Sequence, residues 1–486
     1  MTLTSPPTTT DPPDPLVVVD ATAGVAPTGA AAGAVPSSTT TAPARRGGRW
    51  IDDWDPEDAA SWEASGARTA RRNLAFSILS EHVGFSIWSM WSVLVLFLGP
   101  EYGFTPSQKF MLTTVPVAVG AAIRIPYTFA VARFGGRNFT IVSSATLLLP
   151  ALATAAVLRP GVAFSTLLAV SALAGIGGGN FSSSMSNIDG FYPQRLKGWA
   201  LGLNAGGGNI GVAGVQLVGL IVLATAGAAH PRLVIAAYVP LIVLSTLCAA
   251  RWMDNLGTAT NDKGAMRAVL RIPHSGVILA LYVGTFGSFI GFGFAFGQVL
   301  SIQFPDHFAT ASDVARLAIL GPLVGSLIRP IGGRLADRFG GAAVTLVVFL
   351  VMFAGAGVVL LASLQESLPL FIVAFTLLFV LSGLGNGSVY KMIPSVFRSL
   401  SVRAVDEGQP AAEAAAVATR RSRALIGLGG AVGAFGGVLV NLALRQSFLG
   451  AGDGNGAYVG FMTYYLAAAA LTWFAYVRAG RALDGV

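Results

Sequence analysis

Three basic residues of this 486-residue chain stand inside otherwise apolar runs: Arg124, Arg329 and Lys391. A charge at membrane depth costs at least about 2.5 to 3.5 kcal/mol on insertion scales and normally faces a bundle interior. The two arginines have related surroundings, Arg124 following Gly120-Ala-Ala-Ile and Arg329 following Gly325-Ser-Leu-Ile. A guanidinium cannot be neutralised by deprotonation and presents a flat, bidentate fork of donors. Two forks facing one another across a central cavity suit a small planar oxyanion better than a sugar or a drug. The competing arrangement pairs each arginine with a buried carboxylate, and Glu81 is the only clear acid at comparable depth. One acid cannot satisfy two arginines.

Glu81 and His82, with Lys391, are also the candidates for carrying a proton. Being neighbours on a helix, Glu81 and His82 point about 100° apart, so at most one faces a central cavity. For either of them a local polar contact with a neighbouring helix is the alternative role. Enzyme chemistry has little to work with. Cys248 is the single cysteine, and four scattered histidines make no metal set. No metal, cofactor or catalytic residue is therefore expected. A sensor built on the same fold would carry an appended signalling domain, for which the N-terminal tail is too short and too disordered.

The elements that position these residues follow from composition. Hydrophobic residues make up 53% of the chain and charged residues 11%, less than half of the roughly 25% charged in soluble domains. A cytosolic enzyme and a nucleic-acid binder are both excluded. From Leu74 onward apolar runs recur, twelve in all, from 75–98 to 457–479, each about 20 residues and long enough to cross a hydrocarbon core. The expected fold is an all-α integral membrane protein whose twelve transmembrane helices form two halves of six. Its domains are a disordered cytoplasmic tail (1–50), an acidic helix with a basic flank (51–73), a first half (74–250), a cytoplasmic connector (251–274), and a second half with a short tail (275–486).

In the 51–73 segment, Asp55 is expected to cap the helix and Pro56 to occupy its first position, with Glu57 and Asp58 favouring the dipole. Trp54 and Trp62 give this helix something to dock with. Leu16-Val-Val-Val19 is too short for a signal peptide and no basic residue precedes it. Of the 31 basic residues, 20 flank the runs on the side of the connector and five flank them on the other. The positive-inside rule then places both termini in the cytoplasm, with the chain in the plasma membrane. Net charge of +8 is thus mostly a topology signal.

The halves carry the same marks. Arg124 is followed nine residues later by Arg133-Phe-Gly-Gly136, and Arg329 nine residues later by Arg338-Phe-Gly-Gly341. Gly175-Ile-Gly-Gly-Gly179 likewise matches Gly383-Leu-Gly-Asn-Gly387. Parallel six-helix repeats with a midplane site between them define the major facilitator architecture. Gly333-Arg-Leu-Ala-Asp337-Arg-Phe-Gly-Gly341 resembles that superfamily's cytoplasmic loop signature, with Asp337 and Arg338 as its gate residues. Ala132 stands where the first copy would hold the acid, so the gate contact between halves is expected to be lopsided.

Within the superfamily the chain resembles the nitrate/nitrite porters, from Asp52 onward. The likeness rests on Ile123-Arg-Ile-Pro-Tyr127, on Gly177-Gly-Gly-Asn-Phe-Ser-Ser-Ser-Met-Ser-Asn-Ile188, and on Gly198-Trp-Ala-Leu-Gly-Leu-Asn-Ala-Gly-Gly-Gly-Asn-Ile-Gly211. Thr285-Phe-Gly-Ser-Phe-Ile-Gly-Phe292 and Ala431-Val-Gly-Ala-Phe-Gly-Gly437 complete it. The resemblance implies that Arg124 and Arg329 bind substrate, that Phe85, Phe181 and Phe286 sandwich the flat anion, and that Tyr282 and Asn209 bond its rim. It implies nitrate and nitrite as substrates, the lipid bilayer as surroundings, and either symport with protons or exchange of the two anions. A phosphate or organic-anion exchanger on the same fold is the alternative. A monomer without nucleic-acid partners is expected. The glycine clusters, among them Gly198, Gly206 and Gly208 in the fifth run and Gly433 and Gly436 in the eleventh, give smooth faces. These either pack closely or slide as the halves rock.

Overall fold

The computed structural model describes residues 49–259 and 262–478. Almost all of the expected disordered tail, and Arg481 near the other end, lie outside the described residues. Twelve helices are long and apolar enough to cross a membrane: α1 (Ala59–Phe97), α2 (Pro106–Phe134), α3 (Gly136–Val157), α4 (Phe164–Phe191), α5 (Gln194–Thr225), α6 (Arg232–Trp252), α7 (Pro273–Gln303), α8 (Ala311–Phe339), α9 (Gly341–Leu364), α10 (Leu368–Asp406), α11 (Ala411–Ala451) and α12 (Asn455–Val477). The all-helical, twelve-span fold is the one expected. Several helices outrun their apolar stretches. The N-terminal extension of α11 is rich in alanine, the best helix former, so it stays helical where the hydrophobic pattern has ended.

The internal duplication extends to the backbone. Both α2 and α8 open with a threonine capping box, Thr105 with Gln108 and Thr310 with Asp313. Each closes on a glycine with positive φ, +85° at Gly135 and +86° at Gly340. That conformation suits a residue without a β-carbon, so the repeated Phe-Gly-Gly is the turn that launches the next helix. Across the halves α2 packs on α11 and α5 on α8, while α1 lies against α5 and α8 against α10.

Small residues set those approaches. A β-carbon on Gly177 would come within 2.2 Å of the Gly84 carbonyl oxygen, and one on Gly383 within 2.2 Å of that of Gly325. Among the glycines singled out in the sequence, Gly208 abuts Glu81, Gly433 abuts Tyr282 and Phe286, and Gly436 lies on Gly287. Gly198 and Gly206 correct the expectation, since a β-carbon on either would meet nothing within 4 Å. On α5 the packed face is Gly207, Gly208, Gly211 and Gly219, which meet side chains or backbone of α1. Gly198, Gly202 and Gly206 point away from it.

Ahead of α1 the structure departs from the expected acidic helix. Asp55 caps nothing: its carboxylate accepts from the Glu57 amide at 2.9 Å, closing a turn. The N-cap is Asp58, which accepts from the Ala60 amide at 3.1 Å and the Ser61 hydroxyl at 2.6 Å. From there the helix runs through a π-helical turn at Trp62–Gly66 directly into the first span. Trp54 and Trp62, expected to dock this segment, are buried. Upstream, strand β1 (Trp50–Ile51) pairs in parallel with β2 (Asn255–Leu256) of the connector.

Candidate anion-binding site

Arg124 on α2 and Arg329 on α8 occupy equivalent places in the two halves, and both are buried, 0% and 6% exposed. Arg124 donates from Nε to the Gly178 carbonyl at 3.0 Å and from Nη1 to the carbonyl of Gly430. Its fork is thereby fixed between α4 of its own half and α11 of the other. Nη2 has no hydrogen-bond partner among the described residues. Arg329 donates from Nη2 to the Tyr282 hydroxyl at 3.2 Å, and its Nη1 is likewise unpartnered. Each guanidinium therefore keeps one buried donor uncommitted, although an unmet buried donor is costly.

Phe286 joins the two arginines. Its ring centroid is 5.4 Å from the Arg124 guanidinium carbon and 5.9 Å from that of Arg329. Phe181 stacks 6.1 Å from Phe286 at 30° and lies 4.6 Å from the Arg124 guanidinium. Phe85 is 6.1 Å from Phe181 and 5.7 Å from the same guanidinium. Tyr282 stacks on Phe286 at 5.2 Å and 10°. Residues four apart share a helix face, and a π-helical turn at Val283–Gly287 lies between these two rings. Asn209 on α5 is fully buried, with both amide atoms unpartnered among the described residues. The structure thus gathers both arginines, the three phenylalanines and Tyr282 into one cluster.

Glu81 does not neutralise it. No ion pair joins Glu81 to either arginine among the described residues. Its carboxylate accepts from Ser184 Oγ and, at 2.6 Å, from Asn204 Nδ2, with Oε1 left unpartnered. His82 diverges as the helix pitch requires, placing Nδ1 3.3 Å from the Gly207 carbonyl oxygen. Among the described residues no three metal-ligating side chains come together.

Residues 76–439 match the Major Facilitator Superfamily. The nitrate/nitrite transporter NarU of Salmonella typhimurium is 36% identical over 449 residues, covering 88% of this chain and 96% of its own. The probable nitrate/nitrite antiporter NarK2 of Thermus thermophilus is 34% identical, covering 89% and 98%. This chain belongs to the nitrate/nitrite porter family of the Major Facilitator Superfamily. Solved structures agree on the fold: a D-xylose-proton symporter superposes with a TM-score of 0.61 at 15% identity, covering 86% of this chain and 99% of its own. A bacterial homologue of the human lysosomal transporter Spinster, inward-facing and unoccupied, gives 0.59 at 15%, covering 84% and 96%.

Two expectations for this porter need revision. Lys391 does not join the arginines: its side chain is 45% exposed and pairs with Asp337 at 2.7 Å. The apolar run 369–396 made it look buried, but α10 continues to Asp406 and Lys391 meets the last turn of α8. Asp337 accordingly finds its partner in its own half, while Arg338 lies 5.1 Å over Phe339. The described ion pair between α4 and α11 is Asp189 to Arg423 at 2.9 Å, with Lys197 adding a second contact to Asp189 at 3.3 Å.

Other residues of the site went unnoticed in the sequence. Trp88 holds its indole 5.0 Å from the Arg124 guanidinium while donating to the Pro116 carbonyl at 2.8 Å. Tyr390 places its ring 5.7 Å from the Arg329 guanidinium, with its hydroxyl unpartnered among the described residues. Ser184 and Asn204 lie inside quoted motifs, but only contact with Glu81 gives them a role.

Proposed function

We propose that this porter carries nitrate and/or nitrite across the plasma membrane by alternating access, the anion held between Arg124 and Arg329. The observation that carries the reading is the pair of buried guanidinium groups, each with a donor unpartnered among the described residues, that both lie over the ring of Phe286. Charge-assisted bonds from two forks match the rim of a planar anion. The flat rings of Phe85, Phe181 and Phe286 suit a weakly hydrated, delocalised ion and disfavour tetrahedral phosphate. Nitrate/nitrite transporters at 34 to 36% identity support the same substrate class. The termini are assigned to the cytoplasm, and one chain is the working unit because both arginines belong to it.

Transport needs compensation for charge, since an inside-negative potential opposes anion uptake by about 2.3 kcal/mol per 100 mV. Glu81 favours proton symport over strict exchange. It is an acid one turn from Phe85, held by Ser184 and Asn204 yet paired to no cation among the described residues. Protonating it as the anion binds would let both move together. His82 is turned to the Gly207 carbonyl and Lys391 to Asp337, so neither shares that position.

Purified protein in liposomes tests the proposal with nitrate, nitrite and phosphate. Uptake of nitrate without internal nitrite, driven by an inward proton gradient and lost in Glu81→Gln, is the expected result. Uptake that strictly requires internal nitrite and ignores the gradient would establish exchange. Phosphate outcompeting nitrate would overturn the anion assignment.

A further inference from the structure

The segment from Trp50 to Trp62 forms a strap across the connector end of the first half. One end is anchored beside the connector. There β1 pairs with β2, and the buried carboxylate of Asp254 takes Arg49 at 3.1 Å, Arg72, and the Asn73 amide at 3.0 Å. The other end grips the turn between α4 and α5. Trp54 Nε1 donates to the Gly190 carbonyl at 3.1 Å, and its ring meets Phe191 edge-on at 5.5 Å. Trp62 meets Tyr192 at 5.8 Å. Glu57 accepts from the Gln194 amide at 2.8 Å. Gln194 opens α5 after Pro193, whose side chain offers no cap. Glu57 thus supplies from the strap the acceptor that the helix start lacks.

The turn so held is bracketed by Asp189 and Lys197, and Asp189 makes the ion pair to Arg423 that links α4 to α11. A partly exposed pair of this kind is weak and depends on geometry. We propose that Trp54 and Glu57 are positioning residues for this latch. By fixing the α4–α5 turn to the connector they hold Asp189 within reach of Arg423, keeping the connector end of the two halves together. When the latch opens, strap, turn and connector move with the first half as one body. The proposal rests on the transporter reading only in that the halves separate, and is independent of the anion carried.

Inter-half crosslinking in the full chain tests it without any substrate. A β-carbon at Gly427 would lie 3.3 Å from Thr128 Cγ2 across the α2–α11 contact. Thr128→Cys with Gly427→Cys, in a Cys248→Ser background in liposomes, therefore reports closure at this end. Glu57→Ala is expected to slow disulfide formation about fivefold, the most that a partly exposed ion pair supports. Trp54→Ala and Arg423→Ala should slow it by the same factor. Glu57→Ala added to Arg423→Ala should slow it no further. Crosslinking at the parental rate in Glu57→Ala would overturn the proposal, as would a double variant slower than Arg423→Ala alone. Glu57 is exposed, so its variant decides the matter if Trp54→Ala does not insert. A failed nitrate assay leaves the test unaffected.

Discussion

Arg124 is the more constrained of the two arginines, because its Nε and Nη1 are committed to the carbonyls of Gly178 and Gly430. Only Nη2 remains to meet an anion. A lysine has one compact ammonium and cannot bridge two carbonyls on different helices while also presenting a donor inward. Arg124→Lys should therefore lower uptake at least tenfold, in line with about 1.5 to 3 kcal/mol for a hydrogen bond to a charged group. The measurement is initial uptake in liposomes at saturating and sub-saturating anion. Full activity in the lysine variant would remove the clamp. The arginines were legible in the sequence because a charge in an apolar run has few explanations. Tyr390 was not, since an aromatic in a transmembrane helix is ordinarily packing, and only its place against Arg329 sets it apart.

Helices carry the next level of the argument. At the π-helical turn Val283–Gly287, Tyr282 stacks on Phe286, and both rings meet Arg329. Gly433 of α11 leaves room for those two rings, where a β-carbon would already be 2.5 Å from Tyr282 Cδ1. Gly433→Leu should abolish uptake in protein that still reaches the membrane, whereas Gly202→Leu should retain most of it, because nothing lies within 4 Å of Gly202. Equal loss in both, measured as uptake per inserted molecule, would mean that helix propensity rather than packing governs these glycines. The glycine pattern was visible in the sequence. Which members pack was not, because three- and four-residue spacings drift around a helix, and only the neighbour decides the face.

For the molecule as a whole, the first half is braced at its connector end by Asp254. That buried carboxylate collects Arg49 from ahead of α1, and Arg72 and Asn73 from α1 itself. Asp254→Ala should destabilise the protein by about 2 kcal/mol, less than the 3 to 5 typical of a fully buried pair because both arginines reach water. A fall of a few degrees in apparent Tm in detergent would register it, and an unchanged Tm would show the brace to be dispensable.

The sequence by itself determined the solvent, the span number, the duplication and the arginine pair. All of these follow from local composition and period, and a lipid core penalises exceptions heavily. Tertiary structure decided what depends on distant partners. Lys391 belongs to Asp337, Glu81 to Ser184 and Asn204, and the described ionic link across α4 and α11 to Asp189 and Arg423. Those pairings join residues from different helices, and spacing along one chain holds no information about which helix faces lie together.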